Sequence, residues 1–207
     1  MFVRNREGYM DMTVAAAIEN AARKERERVD VLTDVSRQIV GRRSNAAGGM
    51  FEGMINAACG YYREKGVAII EKTPEPMRPL KPYGDWSRGQ YIACFEKQAQ
   101  PDYKGVLCDG RAVIFEAKHT DKDRIQESAI TETQRKNLDG FQKMGAKCFV
   151  MVSIGFQEFF RVPWEVFCDM KSRYGRKYMK QEELEPYRLE YSRGTLLFLE
   201  GVEVCDD

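Results

Sequence analysis

The spacing of apolar residues predicts a chain that is helical first and then alternates between strands and helices. Helices are predicted over 13–43 and 50–65, and the segment Ser44–Gly49 between them has the composition of a helix breaker. Strands are predicted over 67–72, 90–95, 103–107, 112–118, 147–154, 156–162 and 195–200. Further helices are predicted over 127–144, 163–170 and 181–185. This order indicates a mixed α/β domain with a central sheet.

A proline-rich segment over 74–92 interrupts this alternation. Its prolines exclude both a helix and a central strand, and they are Pro74, Pro76, Pro79 and Pro82. The segment also carries basic and aromatic residues, namely Arg78, Lys81, Tyr83, Trp86 and Arg88. One interpretation is a proline-stiffened surface loop. The other is a DNA-contacting arm, whose cations bind phosphates and whose aromatic rings stack on unpaired bases.

The composition is that of a folded protein. The 207 residues are enough for one well-buried domain, which we expect to follow an N-terminal helical extension over 1–47. Hydrophobic residues make up 43% of the chain and charged residues 31%, which excludes a disordered or fibrous protein. No run approaches the roughly 18 apolar residues of a membrane span, and Arg4, Arg6 and Asp11 interrupt any signal core. We therefore expect a cytoplasmic protein without a membrane partner.

Six cysteines are scattered along the chain, at Cys59, Cys94, Cys108, Cys148, Cys168 and Cys205. No two of them have CxxC spacing, and most have apolar or aromatic neighbours. Buried free thiols are therefore expected rather than a zinc site.

Two acidic residues flank a short predicted hairpin in the middle of the chain. Asp102 follows Pro101 at the start of one strand, and Glu116 lies in the next strand. A two-residue turn would set Asp102 opposite Ala117 and on the other face from Glu116. A three-residue turn with Gly110 in the left-handed conformation would set Asp102 directly across from Glu116. Glycine at the third position of the turn favours the second register.

The residue types of this hairpin are those of a metal-dependent phosphodiesterase. Glu116 and Lys118 lie two apart on a strand and share a face. Convergent carboxylates repel each other, and a divalent cation compensates for that cost. Asp102 and Glu116 would hold one or two Mg²⁺ ions, while Lys118 would orient the attacking water or stabilise developing charge. The alternative is an ordinary exposed hairpin that carries an ion pair.

Five separated segments between about Gly48 and Val166 carry a resemblance that extends beyond the acidic hairpin. They are Gly49–Asn56 (GMFEGMIN), Ile70–Pro74 (IEKTP), Asp102–Gly105 (DYKG), Phe115–Lys118 (FEAK) and Gln134. In order and spacing they resemble the RecU-type Holliday junction resolvases of the PD-(D/E)XK nuclease superfamily. In that family the proline-started segment corresponds to a stalk that reaches into the junction.

The resemblance implies a restriction-endonuclease-like fold, with a mixed central sheet flanked by helices and a protruding stalk at about 74–92, in a nuclease domain over 48–207. It also implies a homodimer that requires Mg²⁺, for which Mn²⁺ can substitute, and that resolves four-way DNA junctions by paired nicking in recombination and repair. The catalytic residues that it assigns are Glu52, Asp102, Glu116, Lys118 and Gln134, with Asp102 and Glu116 as metal ligands. The DNA-binding residues are Lys72, Arg78, Lys81, Tyr83, Trp86 and Arg88.

Two other functions remain open. A related nuclease of phage or restriction type would cut linear or single-stranded DNA. A non-catalytic accessory protein would bind junctions without cutting them, and recombinase or branch-migration proteins are conceivable partners in either case. Clustered charge at Asp102, Glu116 and Lys118 favours an enzyme, because such a cluster is costly to keep without a use.

Overall fold

A computed structural model describes residues 2–5, 8–84, 86–95 and 100–202. By its internal contacts the chain divides into two units, Met1–Ala46 and Ala47–Asp207. The division falls within a long helix, α1, which spans Met12–Glu64.

The first unit contains a hairpin and the N-terminal part of α1. Strand β1 (Phe2–Asn5) pairs antiparallel with β2 (Gly8–Asp11), and Phe2 lies opposite Asp11. The extension predicted over 1–47 is therefore helical only after this hairpin.

Helix α1 continues through Ser44–Gly49, so the predicted break between two helices is wrong. Gly48 and Gly49 each cost about 1 kcal/mol relative to alanine inside a helix, and such local preferences are weak beside the context of a long helix. From Phe51 onwards α1 also buries an apolar stripe, which consists of Phe51, Ile55, Ala58, Cys59 and Tyr62. Neither α1 nor any other helix that the structure describes is long and apolar enough to cross a membrane.

A five-stranded mixed sheet forms the centre of the second unit. After α1 the elements follow in the order β3 (Ala68–Lys72), β4 (Met77–Pro82), β5 (Tyr91–Phe95), β6 (Tyr103–Leu107), β7 (Ala112–Thr120), β8 (Arg124–Gln126), α2 (Glu132–Lys143), β9 (Lys147–Ile154), β10 (Glu158–Pro163), α3 (Trp164–Phe167), α4 (Met170–Tyr174), β11 (Tyr178–Lys180), α5 (Gln181–Leu184), β12 (Tyr191–Ser192) and β13 (Thr195–Leu196). The sheet has the order β10-β9-β7-β6-β3, in which β7 and β9 are parallel and the other neighbours antiparallel. The predicted mixed central sheet is confirmed.

Helices cover both faces of this sheet. Alternate residues of β7 belong to different hydrophobic clusters, Phe115 to one and Ile114 to the other. The cluster around Phe115 contains the apolar stripe of α1. The cluster around Ile114 contains Leu138 of α2 and Trp164 of α3. The two neighbouring residues of one strand therefore face different helices, which fixes the register of β7.

Several predicted elements are shorter or differently placed. The strand predicted over 90–95 pairs with β4 in a separate hairpin, and the strand predicted over 195–200 is reduced to β13. The helix predicted over 127–144 begins only at Glu132, because the preceding residues form β8, which pairs with β11, and a short 3₁₀ helix, Glu127–Ala129.

The cysteines that the structure describes are free thiols of unequal exposure. Cys59 and Cys148 are buried, as predicted, but Cys108 is exposed in the turn between β6 and β7. Cys94 and Cys168 are half-buried, and Cys205 lies outside the described residues.

Candidate active site

The turn between β6 and β7 has three residues. The amide of Leu107 donates to the carbonyl of Arg111 at 2.9 Å, which closes the loop over residues 108–110. Gly110, the third loop residue, has φ of 84°, in the left-handed region that glycine adopts without strain. The three-residue register predicted from this glycine is confirmed.

This register sets the two acidic residues opposite each other. Tyr103 pairs with Phe115, so the next position outwards places Asp102 across from Glu116. Oδ2 of Asp102 accepts a hydrogen bond from the amide of Ala117 at 2.9 Å, which holds its carboxylate against β7. Because residues directly across an antiparallel pair share a face, the two carboxylates point into the same site.

Lys118 lies between the two carboxylates. Its Nζ is 2.9 Å from Oε2 of Glu116 and 3.4 Å from Oδ2 of Asp102. Burial acts to lower the pKa of Lys118, but the charges of Asp102 and Glu116 outweigh it and raise this pKa above its usual value. Lys118 therefore stays a cation that can donate to an oxygen entering the site.

Glu116 is a buried carboxyl group, and only one of its two oxygens accepts hydrogen bonds from the described residues. Its side chain has 0% exposure, and burial, with a smaller contribution from the charge of Asp102, raises its pKa to about 8 against the opposing effect of Lys118. Its Oε2 accepts two hydrogen bonds, but the buried Oε1 accepts none from the described protein. Such an oxygen costs about 1–3 kcal/mol when it is left unpaired, so it fits a ligand such as a cation.

The donor set is suited to a hard divalent ion. Asp102 and Glu116 offer carboxylate oxygens, the ligand type that Mg²⁺ prefers. No group of three or more His, Cys, Asp or Glu side chains with metal-site geometry occurs among the described residues.

Gln134 connects the site to the start of α2. Its Nε2 donates to Oε2 of Glu116 at 2.6 Å. Its Oε1 accepts from the amide of Thr131 at 3.0 Å, and the amide of Gln134 donates to Oγ1 of Thr131 at 3.3 Å. Thr131 and Gln134 thus form a capping box, which fixes the amide so that its nitrogen faces Glu116.

A stack of aromatic rings supports the site from the α1 side of the sheet. The ring centroids of Tyr103 and Phe115 are 4.8 Å apart, and those of Phe115 and Phe149 are 4.7 Å apart. Tyr103 and Phe115 are the neighbours in sequence of Asp102 and Glu116. Because adjacent residues of a strand point to opposite faces, the stack fixes the two acids on the α2 side.

Glu52 lies on α1 and is engaged by a different residue. Its Oε2 is 2.6 Å from Nζ of Lys72, and its backbone carbonyl accepts from the hydroxyl of Tyr103 at 3.2 Å. Lys72 pairs with Tyr103 across β3 and β6. The structure therefore brings together Asp102, Glu116, Lys118 and Gln134, whereas the predicted Glu52 and Lys72 form an ion pair beside them.

The predicted stalk is the hairpin of β4 and β5, and it has two different faces. The pairing shifts between Pro79 and Lys81, which leaves Leu80 in a bulge. Arg78 lies opposite Cys94 before the bulge, and Lys81 lies opposite Ile92 after it. Since Ile92 and Cys94 share a face of β5, the bulge keeps both cations on one side.

The other face of the hairpin is apolar. It carries Met77, Pro79, Pro82, Tyr91, Ala93 and Phe95, all of them exposed. Tyr83 follows β4 with 63% exposure, and Arg88 lies in the 3₁₀ helix Trp86–Arg88 at the tip. The backbone of Trp86 is described, but the side chain that was predicted to stack is outside the described part of the structure. Arg78, Lys81, Tyr83 and Arg88 thus lie on this hairpin, whereas the predicted contact Lys72 lies in β3.

The sequence profile of the family described as Recombination protein U, RecU, matches residues 46–206 of this chain, well over half of it. The chain belongs to the RecU family. The match includes every catalytic residue predicted above and the whole stalk.

Individual relatives match this chain over fewer residues than the RecU profile does. "Holliday junction resolvase RecU" of Streptococcus oralis is 33% identical over 111 residues, 52% of this chain and 56% of that protein. The protein of the same name from Streptococcus equi subsp. zooepidemicus (strain MGCS10565) is 32% identical over 123 residues, 58% of this chain and 60% of that protein. The chain therefore matches less than two thirds of the length of these relatives.

Among solved structures, Hjc of Archaeoglobus fulgidus, a Holliday junction resolvase, has a TM-score of 0.41 and 12% identity. The likeness covers 68% of this chain and 93% of that one.

Sequence reasoning missed two features of this RecU-family site. The hydroxyl of Tyr103 also donates to Oδ1 of Asn56 at 3.0 Å, so this ring anchors the strand of Asp102 to α1. Thr73 continues β3 beside Asp102, to whose carbonyl its amide donates at 2.8 Å. Residue pattern gave Tyr103 only as part of a strand, and the strand predicted over 67–72 ended one residue before Thr73.

Proposed function

We propose that this chain is a Mg²⁺-dependent endonuclease that resolves four-way DNA junctions by paired nicking in recombination and repair. The observation that carries the proposal is the position of Lys118 between Asp102 and Glu116 on one face of the sheet. Membership of the RecU family, and relatives whose names specify Holliday junction resolvases, support the choice of substrate.

Asp102 and Glu116 would hold the metal ion. The unpaired Oε1 of Glu116 and the two facing carboxylates fit a divalent cation. When bound, Mg²⁺ or Mn²⁺ would supply a more acidic water and neutralise charge on the phosphate. Because burial favours the neutral form of Glu116, binding of the ion would require this residue to lose its proton.

The chain's own residues would position water and phosphate. Lys118 donates to Glu116 and Asp102 and would donate equally to a water molecule that attacks the phosphorus. Gln134 fixes the Glu116 carboxylate from the α2 side through its own hydrogen bond of 2.6 Å. Glu52 and Lys72 would act from the α1 side, where they form an ion pair. Lys72 lies two residues before Pro74, where the stalk segment begins, and would contact a DNA phosphate.

The stalk supplies a surface for branched DNA. Arg78 and Lys81 share one face of the hairpin and would bind phosphates, and Arg88 would extend this contact at the tip. Tyr83 is exposed and would stack on unpaired bases at the centre of the junction, as would Trp86.

Paired nicking implies two copies of the site. A four-way junction presents two equivalent strands, and a twofold dimer with one site in each subunit matches that symmetry. We therefore propose a homodimer, acting in the cytoplasm with recombinase or branch-migration proteins as possible partners in the same pathway.

A cleavage assay on three substrates tests the proposal. Labelled four-way junction, linear duplex and single strand are incubated with the protein in Mg²⁺ or EDTA. We expect cutting of the junction in Mg²⁺, at symmetric positions in two strands, and none in EDTA. Equal cutting of all three substrates would indicate a general nuclease, and tight junction binding without cutting would indicate an accessory protein.

A further inference from the structure

Thr73, at the end of β3, lies in line with the two acidic residues of the site. Its amide donates to the carbonyl of Asp102 at 2.8 Å, one position beyond the pairing of Lys72 with Tyr103. Asp102 in turn lies across from Glu116. The three side chains therefore form a row across β3, β6 and β7 on one face of the sheet.

The alternation of β3 supports this direction for the Thr73 side chain. Lys72 reaches Glu52 on α1, so it points to the α1 side of the sheet. Thr73 follows Lys72 and points to the opposite side, where Glu116 meets Gln134 of α2.

The Thr73 hydroxyl has no hydrogen-bond partner in the part of the chain that the structure describes. Its Oγ1 is buried and makes no hydrogen bond to the described protein, and the same holds for Oε1 of Glu116 at the other end of the row. Native proteins leave few buried polar atoms unpaired, and such atoms often bond to a bound ion, water molecule or ligand. The two atoms lie on β3 and β7, on either side of Asp102 on β6.

Thr73 adds a property that the acids lack. Ionised Asp102 and Glu116 can only accept hydrogen bonds, so neither can bond directly to a phosphate oxygen. Lys118 already donates to both acids. The Thr73 hydroxyl is a donor on the β3 side of Asp102, in a residue that as a whole is half-buried.

The position along the chain also favours DNA as the partner. Thr73 immediately precedes Pro74, where the stalk segment begins. A DNA strand that follows the basic face of the stalk to the acids would pass Thr73 first.

We propose that Thr73 is a further catalytic residue, whose Oγ1 donates a hydrogen bond to a non-bridging oxygen of the DNA phosphodiester in the site. This inference rests on the endonuclease function proposed above. It assigns to Thr73 a contact with substrate that is distinct from the metal-holding role of Asp102 and Glu116.

The test compares Thr73→Val, which removes the hydroxyl and keeps the shape, with Thr73→Ser, which keeps the hydroxyl. Junction affinity is measured in Ca²⁺, the single-turnover cleavage rate in Mg²⁺, and thermal unfolding with and without Mg²⁺. We expect Thr73→Val to lower the cleavage rate or the junction affinity about tenfold, the effect of one lost hydrogen bond of about 1.4 kcal/mol. Thr73→Ser should stay within about twofold of the wild type in the same measurements.

Thermal unfolding separates this contact from a structural role. A buried hydroxyl with no hydrogen bond to the described residues adds no stability, so Thr73→Val should unfold at the same temperature as the wild type or higher. Thr195→Val serves as the matched control, since Thr195 is also a half-buried strand threonine, in β13. It should leave cleavage unchanged.

Several results would overturn the inference. Thr73→Val could cut and bind as the wild type does, or it could lose activity together with stability. It could also bind junction normally while losing the stabilisation by Mg²⁺, which would place the hydroxyl on the ion instead of the phosphate. A wild type that neither binds nor cuts junctions would overturn the proposed function and this inference together, whereas an active wild type with an equally active Thr73→Val overturns only the inference.

Discussion

Nε2 of Gln134 donates a hydrogen bond of 2.6 Å to Oε2 of Glu116, and the same amide group completes the capping box of α2. One side chain thus starts a helix and orients a buried acid. Because the cap occupies Oε1, the amide cannot flip without losing the bonds from Thr131. The geometry of Glu116 therefore depends on the helix terminus as well as on β7.

Replacing Gln134 should affect stability and activity together. Gln134→Ala removes half of the capping box and the donor to Glu116, so we expect the free energy of unfolding to fall by about 1–2 kcal/mol. The cleavage rate should fall about tenfold or more, because the carboxylate loses a fixed orientation. Denaturant unfolding and single-turnover cleavage measure the two effects.

Gln134→Glu is the informative control. Glutamate can complete the capping box, but it replaces the donor beside Glu116 with a second acid. This variant should keep more stability than Gln134→Ala at low pH and still lose activity. A Gln134→Ala protein with wild-type rate and stability would show that the hydrogen bond to Glu116 has no functional weight.

Glu116 should make the metal-free protein sensitive to pH. Its pKa is raised from 4.5 to about 8, chiefly by burial, so the folded state holds the proton more tightly than the unfolded state. The resulting stability is fully present below the ordinary pKa of 4.5 and is lost as the pH rises through about 8. Glu116→Gln cannot ionise and should not show this loss. Thermal unfolding of both proteins in EDTA between pH 5 and 9, at about one-unit steps, measures the difference.

The same pair of proteins tests the metal ligand. Mg²⁺ should raise the unfolding temperature of the wild type, since an ion that binds only the folded state stabilises it by mass action. It should have little effect on Glu116→Gln. If the two proteins gave parallel pH curves and equal responses to Mg²⁺, Glu116 would be neither the titrating group nor a ligand.

Thiol reactivity should separate exposed from buried cysteines. Burial raises the pKa of both Cys59 and Cys148 to about 12, so neither forms a thiolate near neutral pH. Cys108 is exposed in the turn that sets the register of the acids. When the native proteins are labelled at pH 8, Cys108→Ser should show one fast-reacting thiol fewer than the wild type. Cys59→Ser should show the same number of fast-reacting thiols as the wild type. The opposite pattern would contradict the packing of α1 on the sheet.

The bulge at Leu80 should be required for a continuous basic face on the stalk. Inserting an alanine between Ile92 and Ala93 would give Leu80 a partner, restore regular pairing and move Lys81 to the face of Met77, away from Arg78. We expect the insertion and Lys81→Ala to weaken junction binding similarly and to reduce its salt dependence by about one phosphate contact.

Binding titrations at several salt concentrations measure this effect. Lys136→Ala removes an exposed lysine of α2, paired at 3.9 Å with Glu132, and is the control for loss of a positive charge. Equal salt dependence in the wild type and the insertion variant would mean that the position of Lys81 does not matter.

The parts of the site that the sequence predicts correctly depend on local rules. Gly110 occupies the one loop position that needs a positive φ, so the turn and the opposition of Asp102 and Glu116 could be read from the chain. Gln134 could be placed only by resemblance, although the Thr131–Gln134 spacing is that of a capping box.

The parts that fail depend on partners distant in sequence. Gly48 and Gly49 predicted a helix break, but α1 continues through them. The low helix propensity of two glycines is a weak preference that the context of a long helix overrides. The ion pair of Glu52 with Lys72 joins residues 20 positions apart, and no periodicity indicates it. The position of Thr73 beside Asp102 results from the pairing of β3 with β6, and its buried hydroxyl results from tertiary packing. Neither can be predicted from the residue pattern.

The most direct test of the central claim is cleavage of a labelled four-way junction in Mg²⁺ by the wild type and by Asp102→Asn, with junction affinity measured in parallel. Asparagine keeps the shape of Asp102 and removes its charge, so cleavage should be abolished while binding through the stalk stays nearly intact. An Asp102→Asn protein that cuts the junction at the wild-type rate would contradict the assignment of this site.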